Sequence, residues 1–192
     1  MGSIKMKKSK LIPSVFFLVV FFLASHAGAV AYLSFSPNST SLGVGEYVDV
    51  DIVISGMENE NIAAFDFVVN FDNTILSLDS YLFGNGLGDV NTGEAMDLSI
   101  DQNLVEISWL WDFGFQEDSF TLATISFLGL AEGQSDLFLS DIILSNDNWP
   151  AEAIDYDTEV ASIEVAPVPE PATMLLLGIG IVGLGGIYRK KS

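Results

Sequence analysis

The feature that most constrains this chain is a two-residue hydrophobic rhythm that recurs through its middle. Val48, Val50, Ile52 and Ile54 alternate with Tyr47, Asp49 and Asp51. Ala63, Phe65, Phe67, Val69 and Phe71 repeat the period with Asp66 and Asn70 opposite, and Val105, Ile107, Trp109 and Trp111 do so again before Ala123, Ile125 and Phe127. Successive strand side chains point to opposite faces, so this spacing predicts sheets with one buried face each. Turn-forming clusters separate the runs, among them Ser36-Pro37-Asn38, Gly43-Val44-Gly45, Gly84-Asn85-Gly86 and Asn146-Asp147-Asn148. No soluble stretch carries the 3.6-residue period of an amphipathic helix. Residues 32–165 are one domain's worth of chain. About nine strands with two inner faces predict an all-β fold, a single antiparallel β-sandwich.

The two ends are built differently. Lys5, Lys7, Lys8 and Lys10 precede an apolar run from Leu11 to Leu23, followed by small residues. That is the layout of a secretory signal peptide over residues 1–31. Cleavage after Ala29 or after Ala31 satisfies the small-x-small rule; the cut after Ala31 is the expected one and leaves Tyr32 first. The chain is therefore expected to be exported.

The other end, residues 166–192, has three parts. Pro169-Glu170-Pro171 is followed by an uncharged stretch from Ala172 to Tyr188, and Arg189, Lys190 and Lys191 come next. About 17 residues at ~1.5 Å rise reach about 26 Å, enough to cross a hydrocarbon core. The prolines set the helix boundary, and the cations stay on the cytoplasmic side. This order of parts resembles the PEP-CTERM tail of bacterial envelope proteins. The resemblance implies processing by exosortase, a membrane-embedded cysteine transpeptidase, near the Pro-Glu-Pro. Before that cut the helix would hold the chain in the membrane.

Charge placement excludes whole classes of function. The formal net charge is −19; all seven Lys and Arg residues lie in 1–10 or 189–191, and all 26 acids lie between Glu46 and Glu170. A domain without fixed cations repels nucleic acid, whose binding needs Lys and Arg on phosphate. There is no Cys, and the single His, His26, sits in the signal peptide. Thiol nucleophiles, thiolate metal sites and the Ser-His-Asp triad are thereby removed from the mature domain. Carboxylates alone can run glycoside hydrolysis, which leaves a carboxylate-only glycosidase as a third-ranked reading; the chain is expected not to be an enzyme. Two apparent motifs are false. Gly178-x-Gly180-x-x-Gly183 lies inside the apolar tail, where no βαβ unit can follow it, and Asp112-Phe113-Gly114 has no kinase framework around it.

A second resemblance covers most of residues 33–165. Val44-Gly45-Glu46-Tyr47-Val48-Asp49-Val50, then Ile62 to Asp72, then Ile75-Leu76-Ser77-Leu78 looks like the opening half of cohesin domains. Thr124-Ile125-Ser126-Phe127 with Gly133-Gln134-Ser135 is similar to a later strand and turn of that family. The resemblance implies a nine-strand jelly roll, related in architecture to carbohydrate-binding modules, with dockerins as the partners of its cellulosomal members. Fold analogy does not settle the ligand.

Candidate binding residues are aromatic. Trp109 and Trp111 either continue the core stripe of Val105 and Ile107 or form an aromatic platform, with the core placement expected. Trp149, beside Pro150 in a polar loop, is expected to be an exposed platform, with Tyr156 close by in sequence. For a calcium ion, Asp155, Asp157 and Glu159 alternate and would share a face in an extended segment, with Asp147 and Asn148 just before them. The expected function is an acidic, exported binding or matrix protein that associates with exopolysaccharide or biofilm material, as the sorting-tail resemblance implies. The alternative is a cohesin-type protein–protein module at the cell surface.

Overall fold

The computed structural model describes residues 30–57, 60–109, 116–167 and 179. The Pro169-Glu170-Pro171 signal, the spanning helix expected over 172–188 apart from Ile179, and the Arg189, Lys190 and Lys191 end lie outside the described residues, as do Ala29 and Trp111. Among the described residues no helix is long and apolar enough to cross a membrane.

Among the described residues eleven strands follow one another: β1 (Ala31–Ser36), β2 (Ser39–Gly43), β3 (Tyr47–Ser55), β4 (Ile62–Asn70), β5 (Leu76–Phe83), β6 (Ala95–Asp97), β7 (Asn103–Ser108), β8 (Ser119–Gly129), β9 (Gly133–Asn146), β10 (Tyr156–Thr158) and β11 (Ala161–Ala166). They form a five-stranded sheet, in the order β10-β1-β3-β8-β5, and a six-stranded sheet, in the order β2-β11-β9-β4-β7-β6. The sandwich is the expected one, with more strands than the nine anticipated. The short elements β2, β6 and β10 all lie at sheet edges, where three to five residues are too few to show a period. Pairing is antiparallel except at two edges, where β10 runs parallel to β1 and β2 runs parallel to β11.

The inner faces are mostly those the alternation predicted. Val50, Ile52 and Ile54 of β3, Phe65, Phe67 and Val69 of β4, and Ala123, Ile125 and Phe127 of β8 are buried. Each such side chain contributes about 1.5–3 kcal/mol when taken fully out of water. Aromatic contacts tie the two sheets together. Phe65 of the six-stranded sheet meets Phe83 of the five-stranded one edge-on at 5.5 Å, and Phe71 meets Phe127 at 5.2 Å.

Two expectations fail for reasons of register. Ala63 is only half-buried, because the β4–β9 pairing shifts between Ile62 and Ala64 and Ile62 takes the core position instead. More consequentially, β7 is turned over. Leu104 and Glu106 are buried, whereas Val105 and Ile107 are half-buried on the outer face and Trp109 is exposed. Phe67 pairs with Leu104 and Phe65 with Glu106, so these residues share the face of the buried phenylalanines. Placing Val105 and Ile107 inward would need a one-residue slip that exposes Leu104. The core placement of Trp109 is thus overturned.

Candidate interaction face

Register defines the outer face of the six-stranded sheet. One row across it runs Met96, Ile107, Ala64, Ser145, and the next runs Val105, Asp66, Ile143. Leu98 continues the β6 side through its N–H bond to the Val105 carbonyl at 2.9 Å, and Ile100 bridges to Asn103. Further along β9, Phe138 pairs with Asn70 on the same face. Leu98, Ile100, Trp109, Phe138 and Ile143 are all exposed there. Asp66 stands between Val105 and Ile143 as a carboxylate set into apolar surroundings. Sheet faces that look into water usually carry polar residues, so this apolar face marks a surface meant to be covered.

At one end of this face the hairpin loop after β9 rises beside β7. Asn146 holds the loop: its side-chain oxygen accepts from the backbone N–H groups of Asn148 at 3.3 Å and Glu152 at 2.8 Å, and its own N–H donates to the Glu152 carbonyl at 3.0 Å. Trp149 projects from the loop and is 95% exposed; Trp109, at the end of β7, is 54% exposed. Between them lies a groove of about 410 Å³, lined also by Ala63, Ala64, Ile107 and Asp147. Trp149 is exposed, as expected. Trp109 joins it across a gap of 40 residues in sequence, because Ile107 and Ser145 both flank Ala64 in the sheet. Tyr156 is exposed but sits in β10, in the opposite sheet, and does not line the groove.

Among the described residues the acids considered for calcium form no converging group of three, although Asp157 and Glu159 both lie near the Tyr32 hydroxyl. Asp147 accepts from the Asn61 amide at 2.9 Å. Glu159 accepts from the Tyr32 hydroxyl at 3.1 Å and the Asn38 amide at 3.2 Å, while Asp157 accepts from the Thr158 N–H at 2.9 Å. Asp155 offers its main-chain carbonyl to the Ala31 N–H at 2.9 Å, and Asn148 lines the tryptophan groove. Among the described residues no group of three or more acids, histidines or cysteines converges on a point that could hold a metal ion.

Ala31 also falls in an unexpected place. It opens β1, is fully buried, and pairs with Tyr156. A cut after Ala31 would remove a core residue and a strand hydrogen bond, which a cut after Ala29 would keep.

One buried titratable residue escaped sequence reasoning altogether. Glu106 is 1% exposed, and neither carboxyl oxygen has a hydrogen-bond partner. Burial, and then the Asp97 carboxylate paired with it on β6, pushes its carboxyl up to about 8. Asp97 itself, against the pull of burial, is held below the usual carboxylate range by hydrogen bonds from Ser99 and from the Tyr81 hydroxyl. The two carboxyls resemble an acid–base pair on paper, but Glu106 is sealed from solvent and cannot reach a glycosidic oxygen.

These features define a two-sheet sandwich with an exposed apolar outer face on its six-stranded sheet. The chain belongs to the cohesin domain family, whose profile matches residues 33–144, and residues 167–190 match the PEP-CTERM protein-sorting motif. That motif indicates an exported, surface-associated bacterial protein. Solved cohesins share the fold. The seventh ScaB type I cohesin of Pseudobacteroides cellulosolvens is 20% identical with a TM-score of 0.60, over 74% of this chain and 96% of that one. A type I cohesin–dockerin complex of Clostridium thermocellum gives 10% identity and a TM-score of 0.60 over 76% of this chain and 99% of that chain. A non-cellulosomal cohesin of the archaeon Archaeoglobus fulgidus gives 14% and 0.51 over 77% and 96%. No curated protein shows a significant sequence match.

Proposed function

We propose that this protein is a surface-displayed protein-binding module that captures its partner on the outer face of the β9-β4-β7-β6 sheet. The observation that carries this reading is the apolar outer face itself, with Val105, Ile107 and Ile143 ringing Asp66 and with Leu98 and Ile100 exposed beside them. Cohesin membership supports it, and so does the dockerin seated on the Clostridium thermocellum relative. Export by the signal peptide and processing by exosortase near Pro169-Glu170-Pro171 would deliver the domain to the cell surface.

Capture of surface proteins from the producing cell by the immobilised protein tests the reading. Ile143→Asp and Asp66→Lys are both on the outer face and leave the core untouched. A partner captured by the parent protein and lost from both variants, with melting temperatures unchanged, is the expected outcome. Equal capture by all three would sink it.

A second reading, association with exopolysaccharide, is favoured by one observation: two tryptophans stand exposed in a single groove. Native gels containing the cell's own polysaccharide, run with calcium and with chelator, test it. Retardation that disappears in Trp149→Ala supports the sugar reading, and calcium dependence of that retardation would assign a metal a part in it.

A further inference from the structure

We propose that the groove between Trp109 and Trp149 receives an organic cation, the lysine or arginine side chain of a protein partner. The inference rests on the protein-partner reading for the source of the cation. The groove's own chemistry stands apart from that reading.

Two independent effects point to a positive ligand. The faces of the indole rings carry negative quadrupole density and attract cations placed over them, most strongly of the aromatic side chains. Asp147 lines the same groove, and among the described residues its carboxylate accepts a hydrogen bond from the Asn61 amide at Oδ2, at 2.9 Å. A cation over the rings would therefore also meet a carboxylate.

The rest of the chain reinforces both effects. No Lys or Arg occurs between residues 11 and 188, so no fixed positive charge of the domain competes for the groove. Asp66 and Asp141 lie along the same sheet and add to the negative potential over it. The apolar contributions of Ala63, Ala64 and Ile107 suit the methylene stem of a long cationic side chain, which buries its carbons while its head stays at a polar rim. A neutral sugar would stack on the rings and donate hydroxyl hydrogen bonds to the carboxylate, but it would gain nothing from the negative field. A uronic acid would be repelled by both.

Arginine fits better than lysine on physical grounds. Its planar guanidinium stacks on an indole and can still donate two hydrogen bonds to a carboxylate, whereas an ammonium is a hydrated point charge.

The chain has three tryptophans, so the nitrogen-15-labelled full-length protein gives three indole N–H signals to follow. Titration would use blocked arginine amide, blocked norvaline amide as the uncharged stem, and methyl glucoside. The expected result is saturable movement of the Trp109 and Trp149 signals with the arginine probe alone. Affinity should fall about fivefold in Asp147→Asn and with added salt, and binding should vanish in Trp149→Ala. Because Trp149 is almost wholly exposed, that substitution leaves the fold intact. Equal movement with norvaline amide or with the glucoside, or no movement with any probe, overturns the cation site. Loss of partner capture in Ile143→Asp together with silent indoles would overturn this inference and leave the face reading standing.

Discussion

Phe65 and Glu106 sit directly opposite one another across the β4–β7 ladder, both pointing into the sandwich. A carboxyl is thereby held among aromatic core residues with no hydrogen-bond partner on either oxygen. Such a group persists because it is kept neutral, and its neutrality is what makes the domain's stability depend on pH.

Glu106 titrates near 4.5 as an ordinary carboxyl and near 8 in the fold. Between those values folding takes up a proton. The stability tied to this group is complete below about 4.5 and is lost as pH rises through about 8. Glu106→Gln removes the titration while keeping the shape. Relative to the parent, the variant should gain about 2–4 kcal/mol between pH 5 and pH 8. Denaturant unfolding at three pH values checks this, and parallel pH profiles for the two proteins would refute it.

Gln116 stands in for a missing strand neighbour at the start of β4. Its Oε1 accepts from the Ile62 N–H at 2.7 Å, and its Nε2 donates to the carbonyls of Ile62 at 2.9 Å and Gly86 at 2.8 Å. Gln116→Ala leaves these part-buried main-chain groups unpaired and should cost about 1–3 kcal/mol. A melting temperature lower by roughly 4–12 °C is the expected readout. An unchanged melting curve would mean that water replaces the side chain at no cost.

The mature amino terminus should be Val30. Ala31 is fully buried and its N–H donates to Asp155, so removing it opens the β1–β10 edge. Intact-mass measurement of the secreted protein distinguishes a start at Val30 from one at Tyr32. A start at Tyr32 would show that the edge tolerates the loss.

What the sequence determined by itself was the kind of fold and, through the sorting motif over residues 167–190, export to the cell surface. Period-two alternation in β3, β4 and β8 fixes strand type and, where one parity is clearly apolar and the other acidic, the buried face. That motif carries its sorting chemistry locally, in contiguous residues. The tertiary structure decided what alternation alone leaves ambiguous. In β7 the parity of Leu104 and Glu106 competes with that of Val105 and Ile107, and hydropathy favours the second. Pairing with Phe67 and Phe65 selects the first, because register with a strongly buried neighbour outweighs the local pattern. That choice moves Trp109 to the surface, puts a carboxyl in the core and creates the apolar face. The groove follows from the same cause. Ala64, Ile107, Trp109 and Trp149 come from β4, from β7 and its end, and from the loop after β9, and only strand order brings them side by side.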